Sequence, residues 1–448
     1  MDTLRLIAML SLATAHGLSA QNAGDAAPAG TAAPTGNARA DTLRLGALQR
    51  DAERTDRRAG QIELLAQQSA LRLHSIRAER LPSIGLLGQA QYLSDVPTVG
   101  SLLPAGAAPP PPPNDNYDSH VSARQRLFDP TVVPRREVER AQVAESQARV
   151  RSALFAQRQA VSEAFFAALL LDEQRKTLEA ALSDLEAQRV LAGERVDAGA
   201  ALPSEVHMLD AELLRRRQTR DGLLAERDAA RDVLGTLTGR VIAADVVLEV
   251  PQGAGDADSE RVREAAARRP EYATFDRGRE LLIERRAAVE AQVQPRVSAF
   301  ARAGYGRPGL NPLAREFDSY WLAGVQLEWT PWDWGNTRRE REVLHLQSQL
   351  LDTDEAAFTA NVERAVIRAL ASITQLERTI ASDSAIIALQ DEVLREARVR
   401  FAEGVITAAE YVDRRTDLLS AQLANSARVV QLAEARARLL TTLGLEVP

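Results

Sequence analysis

The chain is written twice. Three groups of residues recur in the same order, a little over two hundred residues apart. Arg195, Gly199, Glu205 and Leu213-Leu214 match Arg400, Gly404, Glu410 and Leu418-Leu419. Arg135, Arg136 and Glu137 match Arg338, Arg339 and Glu340, and Pro82 with Tyr92 matches Pro295 with Tyr305. Chance between two Ala- and Arg-rich helices explains one such match, not three in order. A repeat of this kind means one supersecondary unit used twice, each copy burying its apolar face against its neighbour.

Both copies follow one plan. A helix runs to a proline, predicted over 42–80 and 270–294. Two strand-like runs then flank a polar, Pro/Gly-rich loop. A very long helix follows, then a glycine turn and a returning helix. The long helices are predicted at 135–192 and 337–401. About 60 residues at 1.5 Å each make a rod of roughly 90 Å. In the second rod Val362, Ala365, Val366, Ala369, Ile373, Leu376 and Ile380 form one narrow apolar stripe. The returning helix carries another, Leu419, Leu423, Val430, Ala433, Ala437 and Leu440. Narrow, Ala-rich stripes suit coiled-coil pairing at close spacing and leave the other faces polar. Composition agrees: aromatics are 4% of the chain while strong helix formers dominate.

The expected organisation is an export signal at 1–20, a disordered Ala/Gly/Pro/Thr linker at 21–40, a first repeat at 41–240, an inter-repeat segment at 241–264 and a second repeat at 265–448. The signal rests on Arg5, the apolar run 6–12 and the small-residue end Leu18-Ser19-Ala20. Val246–Val250 can form a short strand. No later segment approaches the roughly 20 apolar residues of a spanning helix, so a membrane-embedded chain of this kind needs a β-barrel.

The four strand candidates alternate. Ile84, Leu86, Ala90 and Tyr92 share one face, with Ser83, Gln89 and Gln91 on the other. Val121, Ala123 and Leu127 oppose Asp118, His120, Ser122, Arg124 and Arg126. Val297, Ala299, Ala301, Ala303 and Tyr305 oppose Arg296, Ser298 and Arg302. Trp321, Ala323, Val325, Leu327 and Trp329 oppose Gln326 and Glu328. Trp321 and Trp329 stand about 26 Å apart on one face, near the height of the apolar band between the aromatic girdles of a membrane barrel. Tyr92, Tyr305, Trp321 and Trp329 are therefore the candidate membrane-interface aromatics. Four strands cannot close a barrel, and open edges in lipid leave backbone groups unsatisfied. At least two copies must contribute strands.

Net charge is −7 with Arg and Glu interspersed, which gives no basic face for nucleic acid. There is no cysteine, hence no disulfide, thiolate metal site or cysteine nucleophile. His16, His74, His120, His207 and His345 show no metal-ligand spacing, and no phosphate loop or nucleophile elbow is present. The sequence thus calls for no enzyme activity, no catalytic residue, no metal and no cofactor.

Two tandem units of helix, strand, strand, long helix, glycine turn and helix resemble the outer-membrane efflux proteins of TolC type over about 40–448. The paired turns at Gly199 and Gly404 are among the most specific elements of the resemblance. The strand-to-helix junctions from Leu127 to Pro130 and from Trp329 to Gly335 are the others. The expected fold class is mainly α with a small β part: a long coiled-coil helical barrel plus four strands per chain. The resemblance implies a homotrimer, a shared twelve-stranded transmembrane β-barrel in outer-membrane lipid and a periplasmic helical tunnel. It also implies a passive exit duct working with a periplasmic adaptor and an inner-membrane transporter. In that family the turns form the adaptor-docking tip, here Gly199, Ala200, Ala201, Leu202, Gly404, Val405, Ile406 and Thr407. Acidic residues after the second turn ring the entrance, which makes Glu410 and Asp413 gate candidates, with Glu205 the first-repeat equivalent of Glu410. Met208 stands where a second first-repeat carboxylate would be. The position two after the second glycine, basic in some members, is Ile406. The alternative is a soluble periplasmic coiled-coil adaptor, which would carry one helical hairpin flanked by β-rich domains.

Overall fold

The computed structural model describes residues 42–96, 113–251, 268–311 and 315–448. The expected signal, the linker, most of the first inter-strand loop and the loop after residue 251 lie outside them. The predicted double order is present: α2 (Gly60–Ala78), β2 (Ser83–Tyr92), β3 (Asp115–Phe128), α3 (Val132–Asp197), α4 (Pro203–Thr238), then α5 (Pro270–Gln292), β5 (Arg296–Arg307), β6 (Asp318–Glu328), α6 (Asn336–Ala402), α7 (Ala408–Thr442). The rods α3 and α6 have 66 and 67 residues, about 100 Å each. No helix among the described residues is long and apolar enough to cross a membrane.

The predicted first helix, 42–80, is not continuous. Thr42–Leu43 is a short strand, β1, paired in parallel with Val247–Leu248, which is β4. A separate helix, α1 (Leu45–Thr55), follows and stops at Asp56. The Asp56 carboxylate accepts from the backbone N–H of Arg58 at 2.8 Å and opens a 3₁₀ turn instead of letting the helix run on. A short acidic side chain competes with the helix ladder in this way wherever tertiary packing favours the bend.

Three apolar cores hold the helices. Near the middle of the rods, Leu45 and Leu48 meet Phe165, Leu169, Leu234, Val430 and the C-terminal Val447. Here Arg231, 4% exposed, pairs with Asp172 at 2.6 Å and donates to the carbonyls of Ala243 (2.5 Å) and Val246 (3.0 Å). A buried ion pair is costly unless further hydrogen bonds satisfy it; these two carbonyls do so for the Arg231 Nη atoms and tie α3 and α4 to the inter-repeat segment. A second core lies under the glycine turns, and a smaller one joins Val362 and Val366 to Leu439 and Leu443. The predicted stripes are the least exposed sides of α6 and α7. The two rods differ sharply: α3 buries 19 residues and α6 only 7. On α6, Ile367, Leu370, Leu389 and Val393 remain exposed.

The strands form one antiparallel sheet in the order β2-β3-β5-β6. Register decides its character. Leu86 lies opposite Val121, Val121 opposite Ala303, and Ala303 opposite Trp321. The next row of that face is Ile84, Ala123, Ala301 and Ala323. The four apolar alternations therefore fall on one continuous face. The opposite face collects Gln89, Asp118, His120, Ser122, Arg124, Arg302, Tyr320 and Gln326. A slip of one residue would scramble both faces. A bulge between Arg126 and Phe128 brings Phe128 rather than Leu127 opposite Val297.

Candidate functional site

Two regions carry functional geometry: the glycine turns at one end of the rods and the sheet at the other.

Both turns end their rods in the same way. Gly199 and Gly404 have φ of +71° and +77°, a conformation that costs an L side chain about 1–2 kcal/mol. Ala200 N–H donates to Arg195 O (2.7 Å) and Gly199 N–H to Val196 O (2.9 Å). Val405 N–H donates to Arg400 O (2.8 Å) and Gly404 N–H to Phe401 O (3.1 Å). These are paired Schellman bonds, which satisfy the last carbonyls of each rod. The return helices then start differently. Pro203 opens α4 at a position where its missing N–H costs nothing. The Thr407 hydroxyl caps α7 by accepting from Glu410 N–H at 3.3 Å.

The two turns are bound to each other. Arg195 donates from Nη1 to Phe401 O at 2.6 Å, and its guanidinium lies 5.6 Å from the centre of the Phe401 ring. The basic group at the second turn thus comes from the first repeat, while Ile406 packs against the tip core. Phe401 stacks on Tyr411, 5.3 Å between centroids. The Tyr411 hydroxyl donates to Asp184 at 2.8 Å; Arg415 pairs with the same carboxylate at 3.1 Å, and Arg398 pairs with it too. Asp184 so joins α3 to both helices of the second hairpin. Burial, reinforced by the Asp184 carboxylate, pushes the Tyr411 phenol well above its ordinary value. Burial pulls the Arg415 guanidinium down against the opposing pull of Asp184.

The predicted gate residues separate by environment. Glu410 and Asp413 are exposed at the start of α7, in no ion pair among the described residues. Glu205 is half-buried and faces Arg195 at 4.0 Å. Ala200 and Leu202 are exposed with Gly199, as are Gly404, Val405 and Thr407, while Ala201 is half-buried.

Tyr92, Tyr305 and Trp321 lie exposed on the apolar face of the sheet, and Trp329, also exposed, follows directly after the last residue of β6. Tyr305 stacks on Phe317 at 5.6 Å at the loop end, while Trp329 donates to Val293 O at 3.1 Å at the helix end. Two further exposed tryptophans join the helix end: Trp332 and Trp334 meet edge-on, 5.9 Å between rings. Strand periodicity could not place them, because they lie past the end of β6. Each strand-to-rod junction is closed by an aspartate. Asp129 accepts from Thr131 N–H at 3.0 Å, and Asp333 accepts from Gly335 N–H (2.9 Å) and Thr337 N–H (2.7 Å). The Thr337 bonds hold the Asp333 carboxyl below the usual range; at Asp129 burial works the other way but the Thr131 bonds prevail. No group of His, Cys, Asp and Glu able to hold a metal occurs among the described residues.

No protein-family model matches the sequence, and no curated protein sequence does. Solved structures do match in fold. The outer-membrane channel OprN aligns with a TM-score of 0.65 over 89% of each chain, at 17% identity. The outer-membrane protein VceC of Vibrio cholerae gives 0.63 over 89% of this chain and 96% of its own, at 15% identity. The open state of the MtrE outer-membrane channel of Neisseria gonorrhoeae gives 0.63 over 90% and 89%, at 18% identity. The chain has the fold of these outer-membrane channels.

Proposed function

We propose that the protein is the passive exit duct of a tripartite export system. Three copies would share one β-barrel in the outer membrane and one helical tunnel in the periplasm. A periplasmic adaptor would dock at the glycine turns, and an inner-membrane transporter would supply the cargo. The observation that carries this reading is the sheet. Its apolar face is continuous across four strands, and the outer edges of β2 and β6 have no strand partner among the described residues. In lipid such edges are tolerated only when another chain closes them. Three copies of four strands give twelve, a size membrane barrels adopt. The uncovered apolar residues of α6 supply the matching demand for neighbours along the tunnel. Within the duct, Glu410 and Asp413 are the proposed entrance carboxylates. A ring of them from three copies favours cations.

Extraction from the outer-membrane fraction tests this. The duct reading expects heat-resistant trimers in detergent, and single cysteines placed along β2 and β6 should cross-link between copies. A monodisperse monomer soluble without detergent would point instead to a periplasmic adaptor. In planar bilayers the pores should lose cation preference in the Glu410→Ala, Asp413→Ala double variant. Unchanged selectivity would remove these two residues from the entrance.

A further inference from the structure

The polar face of the sheet carries four arginines, and they are not equally engaged. Arg126 pairs with Glu79 (2.5 Å) and Asp129 (3.2 Å). Arg296 lies directly opposite Glu328 in the β5–β6 register. Arg124 forms no ion pair among the described residues. Arg302 stands over the Tyr320 ring at 5.6 Å, and its Nε is buried with no hydrogen-bond partner. The acidic group on this stretch of wall, Asp118, already faces His120 Nδ1 at 2.8 Å and the Tyr320 hydroxyl.

Arg124 and Arg302, neither in an ion pair among the described residues, border the same hollow, although the Arg302 charge also acts on Asp118. Arg302 is opposite Ser122, and Arg124 is opposite Phe300 one row further along that face. Between them is a depression of about 530 Å³, lined also by His120, Ser122, Phe300 and Leu322. Small residues make the room: Gly85 lies across from Ser122, and Phe300 folds over Gly324 so closely that a Cβ there would come within 2.8 Å of the ring. A hollow of this volume matches a drug-sized molecule. Its chemistry is two cations beside an aromatic ring and a leucine, and no unengaged carboxylate.

We propose that this hollow binds an organic anion: a sulfonate, carboxylate or phosphate attached to a flat apolar body. The anionic head would take the Arg124 and Arg302 forks, and the ring would lie on Phe300 and Leu322. In the assembled duct this is a resting place on the inner barrel wall, repeated in each copy; that setting rests on the duct reading, the pocket itself does not. It also gives the exit end the opposite charge preference to the acidic entrance.

The test is calorimetric titration of the full-length protein in non-ionic detergent with naphthalene-2-sulfonate. Naphthalene-2-methanol and inorganic sulfate serve as separate probes. The sulfonate should bind saturably, and the Arg124→Ser, Arg302→Ser double variant should bind it about tenfold more weakly or worse. The Arg124→Lys, Arg302→Lys variant keeps the charges and should retain most of the binding, which separates charge from misfolding. Phe300→Ser should weaken the sulfonate and leave sulfate unchanged. Equal sulfonate affinity in the wild type and the double serine variant would overturn the proposal. So would a wild type that binds sulfate as tightly as the sulfonate, since the ring would then not be read. Sulfonate binding without pores in bilayers would count against the duct while supporting the site; pores without sulfonate binding would sink the site alone.

Discussion

Arg195, in the last turn of the first rod, donates to the carbonyl of Phe401, in the last turn of the second. One side chain thereby satisfies the other repeat's helix end, where the macrodipole favours a cation. Replacing Arg195 with Ala removes a charge-assisted hydrogen bond and a cation–π contact, and should destabilise the tip by about 1–3 kcal/mol. Limited proteolysis at the turns, compared with proteolysis near the sheet, should show faster cutting only at the tip. Equal protection in the variant would mean the contact contributes nothing there.

This relationship also marks what was legible in the sequence. The duplication, the rods, the turns and the two faces of the sheet all follow from local periodicity, which the chain repeats twice. Even the face of Trp321 could be assigned by counting in twos, although β6 stops one residue before Trp329. Arg195 with Phe401, Asp184 with Tyr411 and Arg231 with Asp172 could not be paired, because each contact depends on how two long helices are aligned axially. A stripe fixes which side of a rod is buried and leaves its sliding position open. The break at Asp56 was hidden for another reason: Glu53, Arg54, Arg57, Arg58 and Ala59 favour helix, Thr55 and Gly60 oppose it only weakly, and the local carboxylate bond and the packing of α1 decide against it.

Tyr411 makes the tip sensitive to alkali in a defined direction. Its phenol is pushed up by burial and by Asp184, with Arg398 and Arg415 the cations facing the same carboxylate. In the unfolded chain a tyrosine ionises near pH 10. Below that pH the group is protonated in both states and its contribution is fully present. Above it, the unfolded chain releases a proton that the folded one keeps. Stability should then fall by up to about 1.4 kcal/mol per pH unit until the folded phenol itself ionises. Tyr411→Phe should flatten that part of the profile relative to wild type. Denaturant melts between pH 9 and 12 provide the check, and parallel profiles for the two proteins would show that Tyr411 is not coupled to folding.

The assignment of the two sheet faces can be tested one side chain at a time. Val121 sits in the middle of the apolar face, with Leu86 and Ala303 beside it. Gln89 sits on the polar face, directly opposite Asp118. Val121→Arg should cost about 2–4 kcal/mol if that face meets the bilayer core. Gln89→Arg gains an acidic neighbour and should leave assembly within about 0.5 kcal/mol of wild type. The fraction of heat-stable oligomer in outer-membrane extracts reads both. Equal tolerance of the two arginines would contradict a lipid-facing side.

The two turn glycines look equivalent in sequence and are not equivalent in space. Alanine at either position must adopt a left-handed backbone, at about 1–2 kcal/mol. At Gly199 a Cβ would meet nothing within 4 Å, so that is the whole effect. At Gly404 it would come within 2.6 Å of Arg195 Nη2. The guanidinium must shift, and that shift is expected to weaken the Nη1 bond to Phe401 O. Gly404→Ala should therefore exceed Gly199→Ala by roughly one hydrogen bond to a charged donor, about 1.5–3 kcal/mol. In an Arg195→Ala background the excess should vanish, because the group displaced is already gone. This double-mutant cycle isolates the coupling between the repeats. A persistent excess in that background would place the constraint on Gly404 somewhere other than Arg195.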